Sequence, residues 1–256
     1  MILTLQNNYN PLFYEKIAKV EKKHFWFTHR VKIIQLLLKK FLRSKTFKML
    51  EIGAGTCFVS GKISEQYNES QFCCLDLNIH GLVVGKKQFR IDCAVADITK
   101  APFKICFDVI GLFDVLEHLE DDEGFLVNVS KLLNKKGLMV ITVPAYEKLW
   151  SEFDVISGHK RRYSKKELIN KIVKINFEPI FITYFNFILF PVMYLTRKKK
   201  SGNSHSPLEE VERQLNPPTI FNLIMKFSNF LERVLLNCGI VIPKGTSLIV
   251  VARKNG

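Results

Sequence analysis

Two glycines and three carboxylates carry the first chemical signal in this chain. Glu51, Gly53 and Gly55 lie in FKMLEIGAGTCFVSGKI, residues 47–63, where an apolar run ends in a glycine turn and a helical pattern follows. A strand, turn and helix in that order hold a small molecule by its polar end, because the backbone comes close wherever a Cβ is missing. Asp76 stands 21 residues beyond Gly55 at the end of a second apolar run, where a carboxylate can accept both hydroxyls of a ribose. Asp97 closes a third run and is placed to take the amino group of an adenine. A dinucleotide fingerprint wants a further glycine three residues after Gly55, and Phe58 stands there. That substitution argues against a pyrophosphate on the turn, and so against a dehydrogenase.

Short apolar runs alternating with helical patterns must position these groups. Strands are expected at 47–52, 71–77, 91–98, 107–114 and 137–144, with helices at 56–67, 79–87 and 121–134 between them. Near-continuous apolar strands of this kind belong to a buried parallel sheet. A sixth strand at 179–186 and a last one at 246–252 complete a Rossmann-like, seven-stranded, mostly parallel α/β sheet with helices on both faces. Residues 1–45, with VKIIQLLLKKFL at helical spacing, are expected to form a helical lid, and residues 46–256 the main domain. A helical insertion is expected at about 187–240. Ser164 with Glu167 marks a helix start after the basic turn HKRRY.

A net charge of +14, from 38 Lys and Arg against 24 Asp and Glu, favours an anionic partner: nucleic acid, a phospholipid surface or a phosphorylated substrate. The six cysteines, at 57, 73, 74, 93, 106 and 238, include no C-x-x-C pair. Neither a zinc site nor a disulfide framework is therefore expected, and no metal is assigned. The polar start MILTLQNNYN and the unpaired thiols fit a cytoplasmic location. The stretch FEPIFITYFNFILFPVMYL, residues 177–195, is the most apolar in the chain and runs into RKKK at 197–200. Asn186 and Pro191 interrupt it, and its apolar part falls short of the roughly 20 residues a spanning helix needs. Shallow docking on an anionic membrane, on the inner face, is the alternative to a span.

Taken in order, Glu51-Ile-Gly-Ala-Gly, Asp76 and Asp97 resemble the cofactor-binding set of class I S-adenosylmethionine-dependent methyltransferases, in which a residue such as Cys57 often replaces the third glycine. The resemblance implies S-adenosyl-L-methionine as cofactor. Glu51 would orient its methionine amino group, with Gly53 and Gly55 passing beneath. Asp76 and Leu77 would sit at the ribose, and Asp97 with the Ile98 amide at the adenine. LFDVLEHLED resembles the methyltransferase domain of small-molecule and quinone O-methyltransferases. This implies Phe113 and Asp114 along the cofactor, with Glu117 and His118 at the mouth of the acceptor pocket. His118 is the first candidate base, since an ordinary histidine titrates near working pH.

VPAYEKLWSEFDVISGHKRRY, HFWFTHR and GTSLIVVARK resemble a bacterial subgroup with a G-H-x-R-R-Y stretch, associated with cell-surface saccharides or lipid-linked intermediates. His159 is then a second candidate base or a substrate hydrogen-bonder. Tyr163 joins the candidate catalytic set and would frame a ring with Trp150, while Arg161 and Arg162 would clamp a phosphate or carboxylate. The implied activity is methyl transfer, at oxygen, to a small-molecule or lipid-linked saccharide acceptor. An RNA-directed methyltransferase is the second reading, and a non-catalytic S-adenosylmethionine-binding module the third. DNA is not an expected partner, because LFDV stands where base-modifying enzymes carry N/D-P-P-Y/F.

Overall fold

The computed structural model describes residues 11–98, 106–198 and 212–256. Seven strands form one sheet in the order β3-β2-β1-β4-β5-β7-β6. They are β1 Lys48–Ile52, β2 Gln71–Asp76, β3 Asp92–Val95, β4 Phe107–Phe113, β5 Leu133–Pro144, β6 Phe177–Phe185 and β7 Ser247–Lys254. β1 to β5 pair in parallel, and β7 runs antiparallel to both its neighbours. This is the expected mostly parallel Rossmann-like sheet. Its middle is sealed on both faces: Leu50, Ile110, Val140, Ile141 and Val250 are wholly buried.

Two helices precede the sheet, α1 Pro11–Glu21 and α2 Phe25–Phe41; His24 caps α2 by accepting the Trp26 N–H at 3.2 Å. Helix α3 spans Phe58–Ser64, α4 Ile79–Gln88, α5 Asp122–Ser130, α6 Glu152–Ile156 and α7 Lys165–Lys174. Helices α8 Leu189–Lys198 and α9 Thr219–Asn237, with a helical turn at 212–215, lie between β6 and β7 among the described residues. Residues 199–211, which include the last two lysines of RKKK, fall outside the described residues. No described helix is long and apolar enough to cross a membrane.

Some boundaries differ from the sequence expectation for local reasons. α3 begins after Cys57 because Cys57 adopts a left-handed φ of 56°. β3 is an exposed edge strand whose pairing ends at Val95 opposite Asp76, which leaves Asp97 in the following loop. α5 stops at Ser130 because Leu133 is already paired with Phe107. Cys106 is exposed just before β4.

Strand order reverses between β1 and β4. In open α/β sheets the crevice outside the carboxyl ends of such a pair receives ligands, and both the glycine turn and LFDVLEHLED leave the sheet there.

Candidate active site

The glycine turn is fastened to β2. The N–H groups of Gly53 and Ala54 donate to the Leu75 carbonyl at 2.8 and 3.0 Å. Gly55 N–H donates to one Asp76 oxygen and Asn78 N–H to the other, both at 2.8 Å. Gly53 has φ +71° and Gly55 φ +52°, the left-handed region that favours glycine. Glu51 is buried and accepts the Ser60 N–H at 2.8 Å. Burial pushes its carboxyl up to about 7, against the Ser60 hydrogen bonds and the Arg30 charge. Burial likewise raises Asp76, opposed by the Asn78 and Gly55 amides.

Helix α4 closes against this turn through Gly81, where an added Cβ would stand 2.6 Å from the Gly55 carbonyl oxygen, and through Gly85, 2.6 Å from Cys57 Sγ. The sequence signal was present, two glycines one helical turn apart in HGLVVGKKQ, but the function-led reading passed over it.

Side chains of the N-terminal helices reach the same turn. Thr56 donates a short hydrogen bond to Glu21 of α1, and Arg30 of α2 forms a short ion pair with Asp114. The Arg30 guanidinium also lies over Trp26, 4.6 Å from the ring centroid. Asp114 has φ +58° and accepts the Thr142 hydroxyl at 3.1 Å. Glu51, Gly53, Gly55 and Phe113 line a cavity of about 50 Å³ capped by Glu21, Trp26 and Arg30. Sequence reasoning missed Glu21 and Arg30, which the chain brings from 35 and 84 residues away from their partners.

Beyond Asp114 lies a larger cavity of about 770 Å³. Its walls include Trp26, Phe27, Trp150, Phe153, Leu189 and Phe221, and Asp114, Glu117, His159 and Arg162 supply its polar floor. Glu117 is wholly buried and neither of its oxygens has a hydrogen-bond partner. Burial, reinforced by the Asp114 charge, holds its carboxyl well above the usual carboxylate range. Burial drives the next residue, His118, far below the ordinary histidine value, with the Gly158 carbonyl pulling the other way. The His118 and His159 rings meet edge to face at 4.8 Å.

His159 is held by a chain of charged groups. Its Nδ1 bonds Asp154 Oδ1 at 2.8 Å, and Arg162 grips both Asp154 oxygens, Nε at 2.8 Å and Nη2 at 3.0 Å. Burial would raise Asp154, but the His159 hydrogen bond and the Arg162 charge outweigh it and bring the carboxyl down to about 2. Burial lowers His159 itself despite Asp154. The loop carrying His159 is tied to the first loop by Lys160 N–H, which donates to the Glu117 carbonyl at 2.6 Å.

The remaining expected residues scatter. Trp150 lines the large cavity. Leu77 is exposed, Asp97 half-buried and Ile98 buried beyond β3. Three expectations for the G-H-x-R-R-Y stretch require correction on geometry. Arg162 spends its guanidinium on Asp154 and the Ala145 carbonyl. Arg161 faces the Glu120 carbonyl at 2.8 Å and Asp122 at 3.4 Å. Tyr163 is fully buried, donates to Asp122 at 2.6 Å, and is raised by burial and that carboxylate. The two arginines thus brace the loop rather than present a paired anion clamp, and the Tyr163 hydroxyl is engaged away from the cavity. His118 is buried and does not line the large cavity among its described walls.

A family model described as a methyltransferase domain matches residues 50–141. The chain is 32% identical over 109 residues to a ubiquinone biosynthesis O-methyltransferase of Pelagibacter ubique, covering 38% of this chain and 42% of that protein. It is 23% identical over 184 residues to a malonyl-[acyl-carrier protein] O-methyltransferase of Bacillus cytotoxicus, covering 65% of this chain and 63% of that protein. Among solved structures, phosphoethanolamine N-methyltransferase 2 of Haemonchus contortus, in complex with S-adenosyl-L-methionine, superposes with a TM-score of 0.63 at 17% identity. That match covers 98% of this chain and 59% of the other, and at such identity it speaks for the fold. The chain spans less than two thirds of the length of each of these three relatives.

Proposed function

We propose that the chain is a class I S-adenosylmethionine-dependent methyltransferase and that it methylates an oxygen of a small lipid-linked acceptor, a saccharide intermediate being the best fit. The observation that carries this reading is the cavity of about 770 Å³ beside Asp114. Its aromatic and aliphatic walls suit a lipid chain, and its charged floor suits a polar head.

The residues at the β1 and β2 ends fit the cofactor. A glycine turn with two left-handed glycines lies between two buried carboxylates, Glu51 and Asp76, on adjacent parallel strands. Glu51 would hold the amino group, Asp76 the ribose, and Asp97 with Ile98 the adenine. S-adenosylmethionine supplies an electrophilic sulfonium methyl. The protein's tasks are therefore to align the acceptor oxygen and to exclude water. Trp26, Phe27 and Phe153 line both cavities or the seam between them and keep water out. Asp154 accepts the His159 Nδ1–H, which fixes the tautomer and leaves the Nε2 lone pair to whatever occupies the polar floor.

Helix α9 supports a membrane partner. Ile224, Phe227, Phe230, Leu231 and Val234 are exposed along it, and Lys226 is exposed among them. With a net charge of +14, this face fits peripheral docking on an anionic inner-leaflet surface, next to the lipid-linked acceptor.

Binding of S-adenosylhomocysteine is the first test, with Asp76→Ala expected to weaken it by about 2 kcal/mol, the scale of a lost charged hydrogen bond. Incubation with labelled methyl donor and a lipid extract is then expected to place label in the organic phase. Label confined to water-soluble or RNA fractions would overturn the lipid-linked acceptor.

A further inference from the structure

Buried polar groups in folded proteins nearly always find partners, so a cluster that has none calls for a ligand. Glu117 Oε1 and Oε2, both ring nitrogens of His118, and His159 Nε2 are all sealed from solvent without a hydrogen bond of good geometry, the Gly158 carbonyl being the one polar group drawn toward the His118 ring. One ligand atom from each of these three residues lies within 4.8 Å of the others. We propose that Glu117, His118 and His159 form a divalent transition-metal site at the floor of the acceptor cavity.

Four features of the structure support this assignment. The spacing is near that of a shared ion: atoms bound at about 2.1 Å to one centre stand roughly 3–4 Å apart, and the three ligand atoms, within 4.8 Å of one another, need to draw in by about 1 Å. The second shell is already built. A metal-bound histidine characteristically donates its other ring N–H to a carboxylate, and His159 Nδ1 bonds Asp154 at 2.8 Å, with Arg162 fixing that carboxylate in turn. The two ligand-bearing segments are held together by main chain, through Lys160 N–H, which donates to the Glu117 carbonyl at 2.6 Å. Lastly, Glu117 and His159 line the acceptor cavity, so an ion held by them would lie at its wall.

Two imidazoles and one carboxylate select first-row transition ions over magnesium or calcium, which prefer all-oxygen sets. The site was invisible to a reading based on cysteine spacing, because its ligands come from two segments 41 residues apart in sequence (159 − 118). The inference rests on the proposed function only for what fills the open positions. An acceptor carrying one or two oxygens would ligate there, and its hydroxyl would be acidified by the ion.

Cobalt(II) is the probe, with S-adenosylhomocysteine binding measured on the same sample. Cysteine is the one competitor to separate, since Cys57 Sγ and Cys93 Sγ lie 3.7 Å apart. Thiolate ligation gives intense near-ultraviolet charge transfer, whereas nitrogen and oxygen ligands give only weak visible bands. The expected result is one cobalt per chain with visible bands and no thiolate charge transfer. That signal should vanish in Glu117→Gln and in His159→Gln, and Asp154→Asn should bind about 10- to 100-fold more weakly. Circular dichroism establishes that each variant is folded, and the near-isosteric Glu117→Gln is the variant least exposed to a folding defect. A folded protein that binds S-adenosylhomocysteine but no cobalt would overturn the metal site while leaving the methyltransferase reading intact. Thiolate bands, or equal binding by Glu117→Gln and His159→Gln, would overturn it too. Cobalt binding with the expected signature but without S-adenosylhomocysteine binding would uphold the site and count against the methyltransferase reading.

Discussion

In the central strands of the sheet, the residues packed inside are apolar; in helix α9 the pattern is turned over. Leu50, Ile110, Val140 and Val250 are wholly buried in the sheet. The buried residues of α9 are Met225, Ser228, Asn229, Glu232 and Leu236, while Phe227 is 64% exposed and Ile224 55%. The sheet is held by burial of apolar area. α9 is held largely by polar ties: Asn222 accepts the Phe25 N–H at 2.8 Å, Asn229 donates to the Phe25 carbonyl at 3.2 Å, and Glu232 meets His29 at 3.1 Å. A helix that buries its polar side and leaves its apolar side outward is suited to a second, non-aqueous phase, and it can sit there without giving up what ties it to the sheet.

The largest expected effect tests that difference directly. Glu232 also accepts the N–H groups of Asn186 at 3.1 Å and Phe187 at 2.9 Å, so its carboxylate closes the end of β6 as well as anchoring α9. Glu232→Ala would strand His29 and two backbone donors in a buried site, and is expected to cost about 3–5 kcal/mol in denaturant unfolding. Leu50→Ala, a pure packing change in the sheet, is expected to cost about 2–5 kcal/mol. Comparable losses would show that polar tethers here carry as much as core packing. A loss below about 1 kcal/mol for Glu232→Ala would break the comparison.

A second polar tie, on the other side of the helical cover, responds to pH. Burial raises Glu21 to about 7 against the Thr56 hydrogen bond, from an ordinary 4.5. The folded state therefore holds a proton that the unfolded chain releases. Its contribution is complete below pH 4.5 and is lost as pH rises through 7. A shift of that size corresponds to a fall on the order of 3 kcal/mol. Glu51, raised to about 7 for the same reason, adds a fall in the same window. Glu117, raised to about 8, shares that window, so Glu21→Gln should remove on the order of 3 kcal/mol of the fall in unfolding free energy between pH 5 and 8 and leave the rest. An unchanged slope would place the titration elsewhere.

The sheet was legible because strand burial writes itself into local sequence. The runs around Leu50, Ile110 and Ile141 are mostly apolar and short, and each chain segment can be read alone. The glycine turn was legible for a similar reason, since Gly53, Gly55 and Asp76 sit at spacings set by one β-α-β unit. Arg30 with Asp114, Glu21 with Thr56, and His29 with Glu232 were not, because each pair joins residues 84, 35 and 203 apart with no shared periodicity. The motif G-H-x-R-R-Y was visible, but Asp154 decides what its arginine does. A guanidinium reads the same in sequence whether it meets a substrate or a buried carboxylate. The inverted face of α9 was half legible: its apolar residues recur at helical spacing, which ordinarily marks the buried side.

The smallest expected effect on stability belongs to that face, and it separates the two regions most sharply. Phe227 and Ile224 cover nothing that is described in the fold. Replacing both with serine should move unfolding free energy by no more than about 0.5 kcal/mol, as for exposed positions generally, whereas the same change at any wholly buried strand residue would unfold the sheet. On vesicles containing phosphatidylglycerol the ranking should reverse. Two large side chains withdrawn from the interface forfeit about 1.5–3 kcal/mol each of apolar transfer, enough to abolish cosedimentation, while neighbouring Lys226 adds about 1 kcal/mol that salt removes. Retention of vesicle binding by the double variant at low salt would mean that charge alone brings the protein to lipid. A drop in stability instead would mean that α9 faces protein after all, and the contrast with the sheet would then be one of partner rather than of phase.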